Sequence, residues 1–382
     1  MTDVDGEYHT DSWAYLGGPD GYSEKNRLNF PTVGAMGVAT GDLNRDGFID
    51  VVFASVQDGT TRFTNSLVFY NSASGFDTSK RTELPTVGCS HALIFDVNKD
   101  GWPDIVFSNR YKGAQGDMPK PDDYKINSYI YWGGPGGFTA ENRLEIPTLG
   151  ASGSQVADLN GDGYNDIVFS SGVMEGFGTT SYIYWGSASG WGLDRRTELE
   201  TIFPEGVVVD DFNKDGFPDI LFTSWMCLEC DATYLYWGNK DANYTKTGRL
   251  VVKGVTGATR PTVADLSGDG NKDIIFPNGG VSLQTGEFAK TSYVYYGNGR
   301  GFPQANRVEL PAYAASGSGA ADLNGDGYPE VVFSSHYAPA EGEPELSQIY
   351  WGSASGYKPE NVTQLPTHHA AGMTIVGSRA KR

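Results

Sequence analysis

A chain of 382 residues with a formal net charge of −19 carries a long-range field that repels nucleic acid. It contains no apolar run of the length needed to insert across a bilayer. With 51 Gly, 19 Pro and 22 Tyr, and no long Ala/Glu/Lys/Leu stretch, its composition excludes a helical bundle and favours short strands joined by many turns. Cys89, Cys227 and Cys230 are too few for a disulfide framework, and their odd number leaves at least one thiol unpaired in a monomer. Cys227 and Cys230 form a CxxC without the second CxxC or nearby His of a zinc site, so a local loop disulfide and two idle thiols both remain open.

In chain order, the N-terminal stretch MTDVDGEYHT lacks the basic region and apolar core of a signal peptide, so an extracellular setting implies a leader absent from this chain. Trp13 to Leu16 and Arg27 to Phe30 then read as two strands. From Asp42 onward one short phrase recurs six times: DLNRDGFID, DVNKDGWPD, DLNGDGYND, DFNKDGFPD, DLSGDGNKD and DLNGDGYPE, starting at 42, 96, 158, 211, 265 and 322. A Gly/Ala-rich approach precedes each copy; a run such as DIVFS, a variable stretch, SYIYWGSASG and R-x-E-L-P-T follow it. In the third unit this predicts strands over Ser152 to Ala157, Ile167 to Ser170, Tyr182 to Trp185 and Arg196 to Leu199.

Four short strands per unit of about 56 residues match a propeller blade. The expectation is an all-β fold, a single β-propeller domain over residues 1–382 with seven blades of four strands. Its seventh blade would be closed by the two N-terminal strands and the C-terminal PTHHAAGMTIVG, with Gly377 where a loop Asp would stand and Asp5 to His9 as a poor second strand.

Within each phrase, oxygen-bearing side chains stand at positions one, three, five and nine, with Gly at six. They are Asp42, Asn44, Asp46 and Asp50; Asp96, Asn98, Asp100 and Asp104; Asp158, Asn160, Asp162 and Asp166; Asp211, Asn213, Asp215 and Asp219; Asp265, Ser267, Asp269 and Asp273; and Asp322, Asn324, Asp326 and Glu330. Alternate spacing turns these oxygens toward one point, and three carboxylates crowded together are unfavourable without a cation among them. A hard ion taking six to eight oxygens suits the set, which makes structural Ca²⁺, about six ions, the expected cofactor. Each ion adds two positive charges, so six take the formal charge from −19 to about −7. Ser267 and Glu330 depart from the pattern and mark the weaker loops.

The phrase D-x-[DN]-x-D-G-x-x-[DE] before an apolar strand, with YWG and GGF-like turns between copies, resembles the FG-GAP/VCBS repeats of integrin α-chain propellers, bacterial surface proteins and some fungal lectins. The resemblance covers nearly the whole chain. It implies a seven-bladed propeller with calcium in the loops between first and second strands, in modules that bind proteins, sugars or other surfaces.

Connections between second and third strands vary sharply while the acidic loops stay nearly constant, so binding is expected on the variable loops. Arg110, Tyr111, Trp225, His336 and Tyr337 in those loops, and His91, Arg260, His368 and His369 near the blade connections, are candidate contacts, or packing for the loops themselves. Trp132, Trp185, Trp237 and Trp351, with Tyr296 in the same place, read as packing between blades. No G-x-S-x-G or H-E-x-x-H occurs and acids outside the loops form no discernible pair, so the reading is not an enzyme. It is a calcium-stabilised adhesion or binding module with a glycan or surface protein as partner. The alternatives are a polysaccharide lyase or hydrolase, and a structural subunit that self-assembles through its incomplete seventh blade.

Overall fold

The computed structural model describes residues 8–19, 21–113, 119–173, 180–225, 231–255, 257–282 and 285–376. It falls into two compact units, one of residues 1–14 and 29–204, the other of 15–28 and 205–382. Among the described residues the strands form six four-stranded antiparallel sheets, each of four consecutive strands, and one two-stranded sheet. Blade one comprises Ala35–Gly41, Asp50–Ser55, Phe63–Phe69 and Thr82–Val87; blade two Cys89–Phe95, Asp104–Asn109, Lys125–Tyr131 and Arg143–Leu149; blade three Ala151–Ala157, Asp166–Ser171, Thr180–Tyr184 and Arg196–Glu200. In the second unit, blade four comprises Pro204–Asp210 (its first residue belongs to the first unit), Asp219–Ser224, Thr233–Tyr236 and Leu250–Val252. Blade five comprises Thr262–Ala264, Asp273–Phe276, Thr291–Tyr295 and Arg307–Pro311, and blade six Ala315–Ala321, Glu330–Ser335, Leu346–Tyr350 and Val362–Pro366. The architecture is all-β and of propeller type, and the strands predicted for the third unit fall within two residues of those observed.

Second strands are buried along their whole length apart from Val51 in blade one, which is why DIVFS-type runs do not alternate with polar residues. Alternate side chains enter different layers. Ile105 and Phe107 pack with Val52, Val68 and Leu84 of blade one, while Val106 between them packs with Ile167 and Phe169 of blade three. In the second unit Ile274 and Phe276 pack with Leu221 and Leu235 of blade four, and Ile275 with Val331 and Phe333 of blade six.

Fourth strands are held by a recurring ladder. Arg143 stacks on the Tyr129 ring at 4.3 Å and donates to the Tyr131 hydroxyl at 3.0 Å; Arg307 repeats this with Tyr293 and Tyr295 at 4.5 and 2.8 Å. The same tyrosines reach the preceding blade: Tyr131 donates to the Pro85 carbonyl at 2.6 Å, and Tyr350 to that of Pro311. Hydroxyl pairs Ser66–Thr86, Ser128–Thr148 and Ser347–Thr367 close the far end of the third and fourth strands, accounting for the Thr that ends L-P-T.

The expected seventh blade is not formed: six blades have four strands. The N-terminal pair, Asp11–Tyr15 and Arg27–Pro31, is a two-stranded sheet that keeps third- and fourth-strand contacts, with a Ser12–Thr32 pair and Tyr15 donating to the Pro366 carbonyl. Residues 370–375 run beside the first strand of blade six without strand pairing. Ser316 donates to the Ala370 carbonyl at 2.6 Å, and Met373 and Ile375 lie against Gly317 and Gly319. The cause is the missing second strand, since neither chain end carries a buried run of the DIVFS kind. Of its suggested substitute, Tyr8 and His9 are not in a strand; Asp5 and Gly377 lie outside the described residues.

First strands are rich in Gly, Ala and Ser because they approach one another closely. A Cβ on Gly37 would sit 2.7 Å from the Ser90 carbonyl oxygen and 3.0 Å from the His91 Cα. Gly37→Val is therefore expected to lower stability by about 1–3 kcal/mol or more in chemical denaturation. Gly134→Ala, with nothing within 4 Å, should stay within roughly 0.5 kcal/mol of the parent.

Candidate metal loops and ligand loops

The six acidic loops share one geometry. Position one accepts the amide of the position-six Gly, as from Gly47 to Asp42 at 2.8 Å and Gly101 to Asp96 at 2.9 Å. In five loops the position-three Asn oxygen accepts the position-five amide; Ser267 does not reproduce this bond, and its own amide turns to Asp273 instead. Position five accepts the position-seven amide in all six, at 2.7–2.9 Å. Position six takes a left-handed backbone, with φ +86° at Gly47, which explains the Gly. Position four is left-handed as well, including Arg45, Lys99 and Lys214 at φ 60°, 60° and 61°. That requirement went unread in the sequence, although Gly161, Gly268 and Gly325 at the same place signal it.

Position nine differs in kind. Asp50, Asp104, Asp166, Asp219, Asp273 and Glu330 are 0% exposed and open the second strands. One oxygen of Asp104 accepts the Val97 amide and the other the Gly133 amide, both at 2.9 Å. Asp166 takes the amides of Leu159 and Gly186, and Asp219 those of Phe212 and Gly238. The acid thus ties its own loop to the turn that follows the third strand. Burial pushes Asp104, Asp166 and Asp219 up to about 6; the amides oppose this, and the charges of Asp100, Asp162 and Asp215 add to it. Asp50, Asp273 and Glu330 are raised for the same first reason.

Carboxylates at one, five and nine therefore stand close enough to feel one another, with the position-three oxygen beside them. Each oxygen that accepts one amide retains a second lone pair, and Asp42 Oδ1 is buried without a hydrogen-bond partner. An oxygen-rich, negatively charged set of this kind fits a hard divalent cation.

Of the nine candidate ligand contacts, six fall into two groups, and Arg260 donates to the Ala371 carbonyl at 2.8 Å. In the first unit Arg110 is buried, with Nε donating to the Gly172 carbonyl at 3.3 Å. Tyr111 lies beneath the Arg62 guanidinium at 4.3 Å and edge-on to Tyr124, while His91 sits at a register shift in the first strand of blade two. In the second unit Trp225 donates to the Gly279 carbonyl at 3.0 Å. His336 is buried edge-on against Tyr337, with ring centroids 4.3 Å apart, and Tyr337 lies 4.6 Å from Phe288. Burial, then His369 and Arg260, lower the His336 pKa to about 3, which keeps this ring neutral. Arg110 and Trp225 thus tie their loops to the corresponding loop of the next blade, His336 packs within its own, and Tyr111 and Tyr337 keep only part of their rings exposed. Arg62 and Phe288, which complete these aromatic groups, were not singled out in the sequence. Cys227 and Cys230 lie outside the described residues, and Cys89 is buried. Trp132 stacks on Trp191 at 6.3 Å, and Trp185 and Trp351 donate to Thr197 and Thr363, consistent with packing roles.

The FG-GAP-like repeat family model matches residues 42–107, 96–169 and 211–276, together just over half of the chain. The chain belongs to the FG-GAP-like repeat family. Integrin alpha pat-2 of Caenorhabditis briggsae is 29% identical over 293 residues, covering 68% of this chain and 22% of that protein. Integrin alpha-6 of Gallus gallus is 30% identical over 135 residues, covering 33% of this chain and 12% of that one. The chain thus matches under a quarter of the length of either. A crystal structure of a protein from Lactobacillus plantarum aligns over 94% of this chain and 98% of its own, with a TM-score of 0.53 at 10% identity, a likeness of fold alone. Among the described residues no helix is long and apolar enough to cross a membrane.

Removing a position-nine acid deprives two buried amides of their acceptor, at roughly 1–3 kcal/mol each. Asp104→Ala is expected to destabilise by about 2–6 kcal/mol even in chelator, whereas Asp100→Asn, exposed and still an acceptor, should stay within about 1 kcal/mol by chemical denaturation under the same conditions.

Proposed function

We propose that this chain is a calcium-stabilised binding module of an extracellular or cell-surface protein, recognising a protein partner through the loops between second and third strands. The observation that carries this reading is the contrast within each blade. At one end, six loops repeat the same oxygen arrangement with the same amide ties. The loops between second and third strands share neither length nor residues. A scaffold held constant at one end and varied at the other is what surface recognition demands.

Calcium suits the repeated end for electrostatic reasons. The carboxylates at positions one and five raise the buried one at nine, and a divalent ion among them converts that repulsion into attraction. Asp, Asn and Asp at positions one, three and five, with the acid at nine, would hold the ion; its charge would stabilise the loop without any catalytic part. FG-GAP repeats of integrin α-chains are the precedent for a protein partner and a surface location.

Two experiments test the reading. Calcium is expected to raise the melting temperature and chelation to lower it, because a site filled only in the folded state at a hundredfold excess over its Kd adds about 2.7 kcal/mol. A melting curve indifferent to both would refute the metal. Arrays of cell-surface proteins and glycans, probed with calcium and with chelator, should show calcium-dependent capture of a protein. Capture confined to glycans would replace the partner proposed, and silence across both arrays would remove the binding function.

A further inference from the structure

Register in blade six places an unforeseen group of ligating side chains together. The strands Leu346–Tyr350 and Val362–Pro366 pair with Leu346 opposite Pro366, and just beyond them the Thr367 amide donates to the Glu345 carbonyl at 2.9 Å. His368 and His369 are thereby set beside the Glu345 side chain. His369 takes a left-handed backbone, φ +46°, unusual for a residue other than Gly or Asn. In that conformation its amide donates to Glu345 Oε2, and its Nδ1 lies 3.3 Å from Oε1 of the same carboxylate. His368 Nδ1 lies 4.0 Å from Glu345 Oε2. One ligand atom from each of the three residues falls within 4.8 Å of the others.

We propose that Glu345, His368 and His369 form a site for a divalent transition metal of the zinc class, separate from the acidic loops and on the loop side of blade six. Two imidazoles and one carboxylate are ligands for zinc, whereas calcium takes oxygen throughout. The set is preorganised where it counts. The Glu345 side chain is 11% exposed and that of His369 20% exposed, and the His336 carbonyl lies 3.0 Å from His369 Nδ1. With Nδ1 donating to that carbonyl the tautomer is fixed, and Nε2 is the His369 nitrogen that would ligate. Zn–N and Zn–O bonds of about 2.0–2.1 Å imply ligand separations of roughly 3.3 Å. The 4.0 Å between His368 Nδ1 and Glu345 Oε2 exceeds that by under an ångström, and the His368 side chain is 44% exposed. Three protein ligands leave a fourth position open, to water or to an incoming donor.

The test is titration of the full chain with zinc alone, by calorimetry, in saturating calcium so that the acidic loops are occupied and the two metals are read separately. One equivalent of zinc is expected to bind. His368→Ala and Glu345→Gln should each weaken it roughly tenfold or more, while His9→Gln leaves it unchanged. Cobalt(II) added in place of zinc should give the visible absorption of a tetrahedral site in the parent and not in His368→Ala. Because His368 is half-exposed, its variant should melt like the parent, separating a lost ligand from a lost fold. Absence of the zinc equivalent, or its survival in both variants, overturns the proposal and leaves the calcium reading untouched.

Discussion

One buried carboxylate per blade holds the architecture together. It stands at the first residue of the second strand; in blades one to five it accepts an amide from the loop before it and an amide from the turn after the third strand, and so fastens three strands at one end, while Glu330 of blade six takes the Leu323 amide. Neither amide has another acceptor of comparable geometry, and burying both unpaired would cost several kcal/mol. The acid is in turn the least comfortable charge in the blade: burial raises it, and the neighbouring loop acids raise it further. Structural necessity thus puts an anion where anions repel, which is the physical reason for the cation we propose there.

From that fastening the rest of the blade follows. With the second strand fixed at its polar start, its apolar run is committed to burial on both faces, and Ile, Val and Phe divide between the preceding and following layers. Outward along the blade, third strands carry tyrosines that bond back to the preceding fourth strand and stack under arginines of their own. First strands, where backbones converge, keep Gly at the closest approaches, as at Gly37 against the Ser90 carbonyl. Of the four connections, that between second and third strands varies most in length and residue.

Much of this was legible because repetition multiplies a weak signal. A single DLNGDGYND reads as a turn; six copies reveal a loop whose oxygens recur in phase, and the strands beside them follow from period and punctuation. What escaped was of two kinds. Backbone demands hidden by tolerance, such as the left-handed position four, are masked when Arg and Lys occupy a conformation that Gly fills elsewhere. Contacts that span strands, such as Arg143 on Tyr129 or Arg307 on Tyr293, need the register before the pair can be seen. The seventh blade was overread for a related reason. Tyr15, Arg27 and the Ser12–Thr32 pair carry the third- and fourth-strand signature faithfully, but two outer strands do not imply the two inner ones.

Glu345 joins the two histidines singled out in the sequence only through register. They are over twenty positions apart, and no spacing rule joins them; what joins them is that the last two strands of blade six pair so that residues 345 and 367 meet. The following residue pair must then lie over the Glu345 carboxylate, and the left-handed turn at His369 aims its amide and ring at the same group. A histidine held in a conformation that favours Gly or Asn spends stability of about 1 kcal/mol, and the bonds to Glu345 recover it. The same step after a fourth strand is left-handed at Gly34, Gly88, Gly150, Phe203 and Ala314, so the turn belongs to the blade connection, and what sets blade six apart is that the turn there carries an imidazole to a carboxylate.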